Sequence, residues 1–329
     1  MLKGKLAPIV LFIFSLLLFL LPLLTRNPYI LHLAIIVLMN CATCESLLLL
    51  FRVGRPSFCH AAFLGIGAYS SAVLTLSLGI SFWVALPLSG FVTMLIALPL
   101  GYVTLRVRGV YFWLATFAFG EAMVRLCSIL EPIGGVRGIR DIPFPDTIHI
   151  LNILTVDFSV TRIPYYYLIL VIAALTIGIV VLIDRSEIGS TVRSIGEDPI
   201  LSESIGISVV KYSVVMFALG CFFAGIVGAF YAHYMHVVNP SISGSLSSCL
   251  YIVAIIIGGT SLVGPICGAV LIAIMPEFLR GLPGIEDLLF GLILILIIIF
   301  IPDGLAVSMP RRLRRFISVP FGDGGNPSP

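Results

Sequence analysis

At 329 residues, 59% hydrophobic and only 11% charged, with a mean hydropathy of +1.16, the chain falls well below the roughly 25% charged residues of soluble domains and reads as an integral membrane protein. The net charge of +3 is too small to argue for a nucleic-acid partner, so what matters is where the cations sit. Seven cysteines (Cys41, Cys44, Cys59, Cys127, Cys221, Cys249 and Cys267) lie in or beside apolar stretches with no framework spacing, which excludes a disulfide scaffold and reads as small buried hydrophobes.

Lys3 and Lys5 precede an apolar run from Ala7 to Leu24. The run exceeds the ~7–15 residues of a signal-peptide core and no small-residue cleavage site follows, so it reads as a first span. A span needs about 20 mostly apolar residues. On that measure the candidates are 7–25, 28–50, 59–79, 81–105, 109–130, 163–184, 211–235, 247–263, 264–281 and 285–302, about ten in all. The stretch 247–281 is short and glycine-interrupted. It reads either as two spans or as broken, re-entrant helices of the kind tolerated where they line a cavity. The fold class expected is thus all-α and polytopic. A single membrane domain spans 1–310, and a basic tail, 311–329, runs out into Gly, Pro, Asn and Ser, a disordered composition.

Cations in short loops set orientation. With the N-terminus inside, 13 of the 19 basic residues fall on the cytoplasmic side, among them Arg52, Arg55, Arg185, Arg193 and Lys211. Arg26, Arg137, Arg140, Arg162 and Arg280 fall outside, and Arg125 lies within a span. An even number of spans with both ends cytoplasmic follows, with the loop 131–162 outside and the loop 184–211 inside.

The loop 184–211 is the more informative of the two, because it holds a short helix with both ends marked. Asp198 suits the N-cap, Pro199 the first helical position and Gly206 a left-handed stop. Such a compact helix between two spans is placed to be presented to a partner.

Within the spans, Gly220, Ala224, Gly228 and Ala232 recur every four residues, and Gly264 and Gly268 form a Gly-x-x-x-Gly pair; both read as close helix packing. Charges inside a bilayer each need an account. Glu121 and Arg125 are spaced to pair along one helix face. Glu45 lies near mid-span with no local partner, so it is either protonated or facing a cavity. Glu277 is close enough to a span end to reach the interface. His233 and His236 lack the further ligands a metal needs, and His233 with Tyr231 and Tyr234 reads as an interfacial aromatic belt. No phosphate-binding Gly-x-x-x-x-Gly-Lys-Ser/Thr loop, His-Glu-x-x-His or Gly-x-Ser-x-Gly motif occurs. The chain reads as a conduit, not an enzyme, with no cofactor and no metal; energy from ATP would have to come from a partner.

Two glycine-rich turns precede spans, Gly54-Arg55-Pro56-Ser57-Phe58-Cys59-His60-Ala61-Ala62-Phe63-Leu64-Gly65-Ile66-Gly67-Ala68-Tyr69 and Gly258-Gly259-Thr260-Ser261-Leu262-Val263-Gly264-Pro265. The first resembles the signature of the permeases of branched-chain amino acid ABC importers, in particular the LivM-type subunit. The resemblance continues through Leu105–Phe112, Ala118–Glu121, Gly134-Gly135, Glu197–Ile207, Ala229–His233, Gly258–Ala269 and Gly304-Leu305. It departs at Arg55, where the family has Gln, at Pro56 and Cys59 for its Leu and Gly, and at Ile133 for a Thr. Glu45 and Leu47 stand in the region of a usual Gly-Leu-Asn. These departures put the family's typical substrate in question.

The resemblance implies a second homologous permease, two cytoplasmic ATPase subunits and a periplasmic substrate-binding protein as partners, in the bacterial inner membrane. It places Asp198, Pro199, Ser202, Glu203 and Gly206 at the ATPase dock. Candidates for the translocation pathway or its core are Glu45, Ser57, His60, Gly65, Gly67, Glu121, Arg125, Gly258, Gly259 and Gly264. The rival reading is a self-sufficient secondary transporter with Glu45 or Glu121 as the proton-coupling carboxylate. The capped loop helix speaks against it, since such a carrier needs no dock, and glycine-broken helices speak against a purely structural scaffold.

Overall fold

The structure, a computed structural model, describes residues 19–22, 25, 27–107, 109–150, 154–281, 284–301, 304 and 305. Most of the expected first span, the cations Lys3, Lys5, Arg26 and Arg108, and the tail 311–329 lie outside the described residues.

Each helix begins or ends where the sequence supplies a cap or a breaker. α1 (Pro28–Arg52) starts with proline in its first turn and the Asn27 side chain accepting from Tyr29 N at 3.0 Å. It stops before Gly54, whose φ of +74° turns the chain into the Arg55–Cys59 segment and α2 (His60–Leu76). α3 (Phe82–Thr104), α4 (Val110–Ile129) and α5 (Ile163–Arg185) follow. Two short helices, α6 (Glu187–Glu197) and α7 (Pro199–Ser204), lead into the long α8 (Val209–Met235). α9 (Ser245–Gly258), α10 (Gly264–Leu279) and α11 (Glu286–Phe300) complete the described chain.

Five of these helices, α1, α3, α4, α5 and α8, are long and apolar enough to cross a membrane. α2, α9 and α10 are apolar but shorter, at 17, 14 and 16 residues. Helices therefore occupy each expected span from 28–50 onward, while 59–79 and 247–281 yield short ones. At the first the Arg55–Cys59 turn precedes the helix, and at the second the chain breaks between Gly258 and Gly264, where Gly259 takes a φ of +96°.

At one end of the bundle the chain makes two small antiparallel pairs. β1 (Ile139–Arg140) pairs with β4 (Val237–Val238), and β2 (Ile148–Ile150) with β3 (Leu154–Val156). This is the ribbon end; α6 and α7 mark the opposite, two-helix end.

α1 and α8 form the buried axis, each with 72% of its most apolar window buried, against 22–33% for α3, α4 and α5. α8 packs most heavily on α3 and α2. The close approach depends on absent side chains. A Cβ on Gly228 would sit 1.9 Å from the Leu64 carbonyl oxygen of α2, and one on Gly67 would sit 2.2 Å from the Gly225 carbonyl oxygen of α8. No rotamer change relieves a clash with backbone, so the helices would have to separate. The expected small-residue stripe is thus a packing device, and Gly67 belongs to it.

Gly228→Val is expected to abolish a monodisperse folded fraction after detergent extraction. Gly178→Val on α5, where a Cβ would meet nothing within 4 Å, should leave yield and thermal midpoint near those of the parent. Equal losses in the two variants would contradict the packing account.

Candidate functional site

At the two-helix end, Asp198 caps α7 as its sequence position predicts: Oδ1 accepts from Ile200 N at 2.9 Å and Leu201 N at 3.0 Å. Gly206 takes a φ of +87° and ends the turn, donating to the Glu203 carbonyl at 3.0 Å. Glu203 is exposed, but Ser202 is 2% exposed and its hydroxyl donates to the Asp198 carbonyl at 2.9 Å. Ser202 therefore braces the helix from inside. The surface offered outward is apolar instead: Ile200, Leu201 and Ile205 are 62–70% exposed.

α6 was not foreseen. Ser186 caps it by accepting from Gly189 N, and Val192 and Ile195 bury its inner face at 2% and 1% exposure. A Cβ on Gly196 would meet the Arg52 carbonyl oxygen at 2.2 Å, so α6 lies directly on the end of α1. Asp184, at the end of α5, forms an ion pair with Arg52 Nε across 3.3 Å without a hydrogen bond and accepts from Arg193 Nη1 at 2.8 Å, and Arg193 also donates to the Asp184 carbonyl. These cations, which the sequence reading counted only as signs of orientation, tie α1, α5 and α6 together. α7 follows directly on α6, which is thus fastened to α1 and α5.

A second polar cluster lies inside the bundle, where α2 and α9 begin beside α4. The Ser46 hydroxyl donates to the Thr43 carbonyl at 2.8 Å and lies 2.7 Å from His60 Nε2. Its one proton is committed, so His60 Nε2 is the donor of that pair, and the buried Nδ1 has no partner. Ser57 accepts from Cys59 N and lies 3.0 Å from Cys59 Sγ. Ser248 accepts from Ala61 N at 3.0 Å, and Thr116 from Phe58 N at 3.3 Å. The hydroxyls of Ser57, Thr116 and Ser248 each satisfy a backbone donor near the start of α2. Arg55 donates to the carbonyls of Leu105 and Val107, which fastens the turn to the end of α3 and gives this departure from the family pattern a structural role. Gly65 leaves room for Ser243, since its Cβ would lie 1.9 Å from Ser243 Oγ. Gly258 and Gly264 meet backbone to backbone across the α9–α10 turn, with Gly259 at a φ of +96°. The glycines therefore serve packing.

The charged candidates part company. Among the described residues Glu121 makes no ion pair with Arg125, which corrects the expected pairing. Glu121 Oε1 instead accepts from Ser245 N at 3.4 Å, at the start of α9, while the Arg125 side chain is exposed. A bond to the first turn of a neighbouring helix satisfies a free donor and opposes the helix dipole, and sequence spacing cannot reveal it. Glu45 is fully buried with neither oxygen partnered. Glu277 pairs with Arg280 at 3.1 Å near the end of α10, in keeping with an interfacial position.

The expected aromatic belt is corrected for His233 and Tyr234, whose rings are buried, while Tyr231 is half-buried. His233 is fully buried, donating through Nδ1 to the Pro143 carbonyl at 2.8 Å and accepting at Nε2 from Ser71. His236 donates through Nδ1 to the Ile142 carbonyl at 2.8 Å. Both hold the 139–146 segment over the ribbon end. Among the described residues no cluster of three or more His, Cys, Asp or Glu is placed to hold a metal.

If Glu121 and Arg125 act separately, the losses in thermal stability from Glu121→Gln and Arg125→Gln add to within about 0.5 kcal/mol. A double mutant that recovers stability relative to Glu121→Gln would restore the pairing.

Comparison with known proteins bears on all of these features together. The sequence family described as "Branched-chain amino acid transport system / permease component" matches residues 29–301. The high-affinity branched-chain amino acid transport system permease protein LivM of Salmonella typhimurium (strain LT2) is 29% identical over 266 residues, 75% of this chain and 62% of the relative. LivM of Escherichia coli (strain K12) is 28% identical over 264 residues, with the same coverage. The chain thus spans 62% of the length of these curated relatives. No solved structure matches it. With the family match extending over nearly all of its membrane-embedded sequence, the chain belongs to the permease components of branched-chain amino acid transport systems, a family of transport proteins and not of enzymes.

Proposed function

We propose that the chain is a membrane permease subunit of an ATP-driven ABC importer, moving branched-chain amino acids or related small amino acids, amides or acids across the bacterial inner membrane. In this reading the chain has about ten spans with both ends cytoplasmic, the ribbon end faces the periplasm and α6–α7 face the cytoplasm. It works with a second homologous permease, two ATPase subunits and a periplasmic binding protein, surrounded by membrane lipid.

One observation carries the reading. α7 is capped at both ends, sits on a lever anchored to α1 and α5, and shows Ile200, Leu201 and Ile205 to the exterior in an otherwise polar loop. Exposed apolar side chains on a short rigid helix suit insertion into a groove on another protein. ATP binding would shift the permease pair between inward-open and outward-open states because the ATPase dimer binds α7 differently in the two.

Leu201→Asp is expected to leave insertion and folding intact while lowering ATP-dependent uptake in reconstituted vesicles by about tenfold or more, as for the loss of an interfacial anchor. Parental uptake in the variant, or uptake without any ATPase subunit, would favour the secondary carrier.

For topology, Val136→Cys should react with an impermeant thiol reagent added outside intact cells, and Ser204→Cys should react only after the membrane is opened. Labelling of Ser204→Cys from outside would reverse the orientation.

A further inference from the structure

Among the five membrane-crossing helices α4 is the least covered, with 22% of its most apolar window buried. It packs through one side only, where Phe112, Thr116, Gly120 and Cys127 are buried. At about 100° per residue the opposite side is a strip of Tyr111, Leu114, Ala118, Ala122, Arg125 and Ile129, all of them exposed. Glu121 lies at the edge of the strip, half-buried, with Oε1 on Ser245 N.

Charge on such a surface needs an account. Hydrocarbon accepts an outward face like that of α3, where Val84, Leu88, Phe91 and Leu95 are exposed and the helix holds no charged residue. Among the described residues, the charged side chains of α1, α5 and α8 are either buried, as Glu45 is, or fall in the first or last turn, as Arg52, Asp184, Arg185 and Lys211 do. Glu121 differs: it lies about 12 Å along α4 from the end at Ile129, too deep for its short side chain to reach water. Among the described residues neither Glu121 nor Arg125 has an ion-pair partner.

A carboxylate and a guanidinium one turn apart on one uncovered strip complement a copy of themselves. Two copies inserted the same way are related by a two-fold axis along the bilayer normal, so their α4 helices run parallel and like residues meet level with one another. Ala118 and Ala122, small and four residues apart, let the two backbones approach. Glu121 and Arg125 differ in level by about 6 Å, which an arginine side chain spans. Each Glu121 then meets Arg125 of the other copy, and the contact is made twice.

We infer that the strip 111–129 of α4 is the surface on which a second copy of this chain docks, closed by two reciprocal Glu121–Arg125 pairs. Through its bond to Ser245 N, each Glu121 also joins the contact to the start of α9. The role of the pair rests on the importer reading, in which the copy takes the place of the second permease; the contact itself is a property of this chain.

The test uses the full chain, expressed without other subunits and reconstituted in phosphatidylcholine vesicles. With Ala122→Cys, oxidation by copper phenanthroline should give a covalent dimer. Leu95→Cys on the outward face of α3, and the parent with its seven native cysteines, should give none. Energy transfer between differently labelled copies reads the dissociation constant. Arg125→Glu, which sets carboxylate against carboxylate, should raise it about tenfold or more, and Arg125→Lys should stay near the parent. Arg125 is exposed in the single chain, so both variants should fold. Within one chain the two charges act separately, but Glu121→Gln and Arg125→Gln should be non-additive in this dissociation constant, as befits a pair made between copies. Ala122→Phe should prevent the dimer and leave a monodisperse monomer. No cross-link at Ala122→Cys, equal cross-linking at Leu95→Cys, or parental association in Arg125→Glu would each overturn the contact. So would cross-linking of Ala122→Cys to a homologous permease, supplied alongside, in preference to the copy. ATP-dependent import by an assembly whose α4 strips do not cross-link would sink the contact and leave the importer reading standing; a cross-linked pair that never imports with ATPase subunits present would do the reverse.

Discussion

Backbone-to-backbone contact along α8 sets the geometry on which the rest depends. In a bilayer the lipid tails are as apolar as leucine, so helices gain little from hiding apolar side chains and must gain it from close packing and shared polar contacts. α8 meets α2 through Gly225 and Gly228 opposite Gly67 and Leu64. Because α2 is drawn this close, its first turn can begin inside the bundle, where Ser248 and Thr116 satisfy backbone donors that would otherwise be stranded. The interior polar cluster follows from that packing: it lets short helices start where water cannot serve them.

The two ends of the bundle use different chemistry. At the ribbon end, His233, His236 and Asp146 hold a loop down; Asp146 accepts from Ser81 Oγ and Phe82 N at the start of α3. At the two-helix end, Asp184 gathers two arginines and fixes α6 on α1 and α5. Surface ion pairs contribute little on their own, about 0–1 kcal/mol. Asp184 is only 16% exposed and is shared, so the cluster is better understood as setting the angle of α6 than as a store of stability.

Much of this was legible in the sequence for physical reasons. Span positions follow from apolar run length, which the bilayer enforces. The caps of α7 follow from Asp198, Pro199 and Gly206, whose preferences are local. The stripe on α8 is legible because only small residues recur at that spacing. What escaped notice depends on distant neighbours. α6 contains Gly189 and Gly196, which argue against a helix until one sees the backbone each must touch. Glu121 looked paired with Arg125 because spacing counts only its own helix, whereas the start of α9 supplies its donor. His233 looked interfacial because nothing in its vicinity announces that residues 139–146 fold over it.

The central claim is that α7 is the element through which ATP acts, and its contact can be measured directly. With Leu201→Cys in the assembled transporter, a short bifunctional thiol reagent should join this chain to an engineered cysteine in the ATPase groove. The yield should change when ATP is bound and again after hydrolysis. Absence of any cross-link at Leu201→Cys, in a preparation that still imports substrate, would contradict the account.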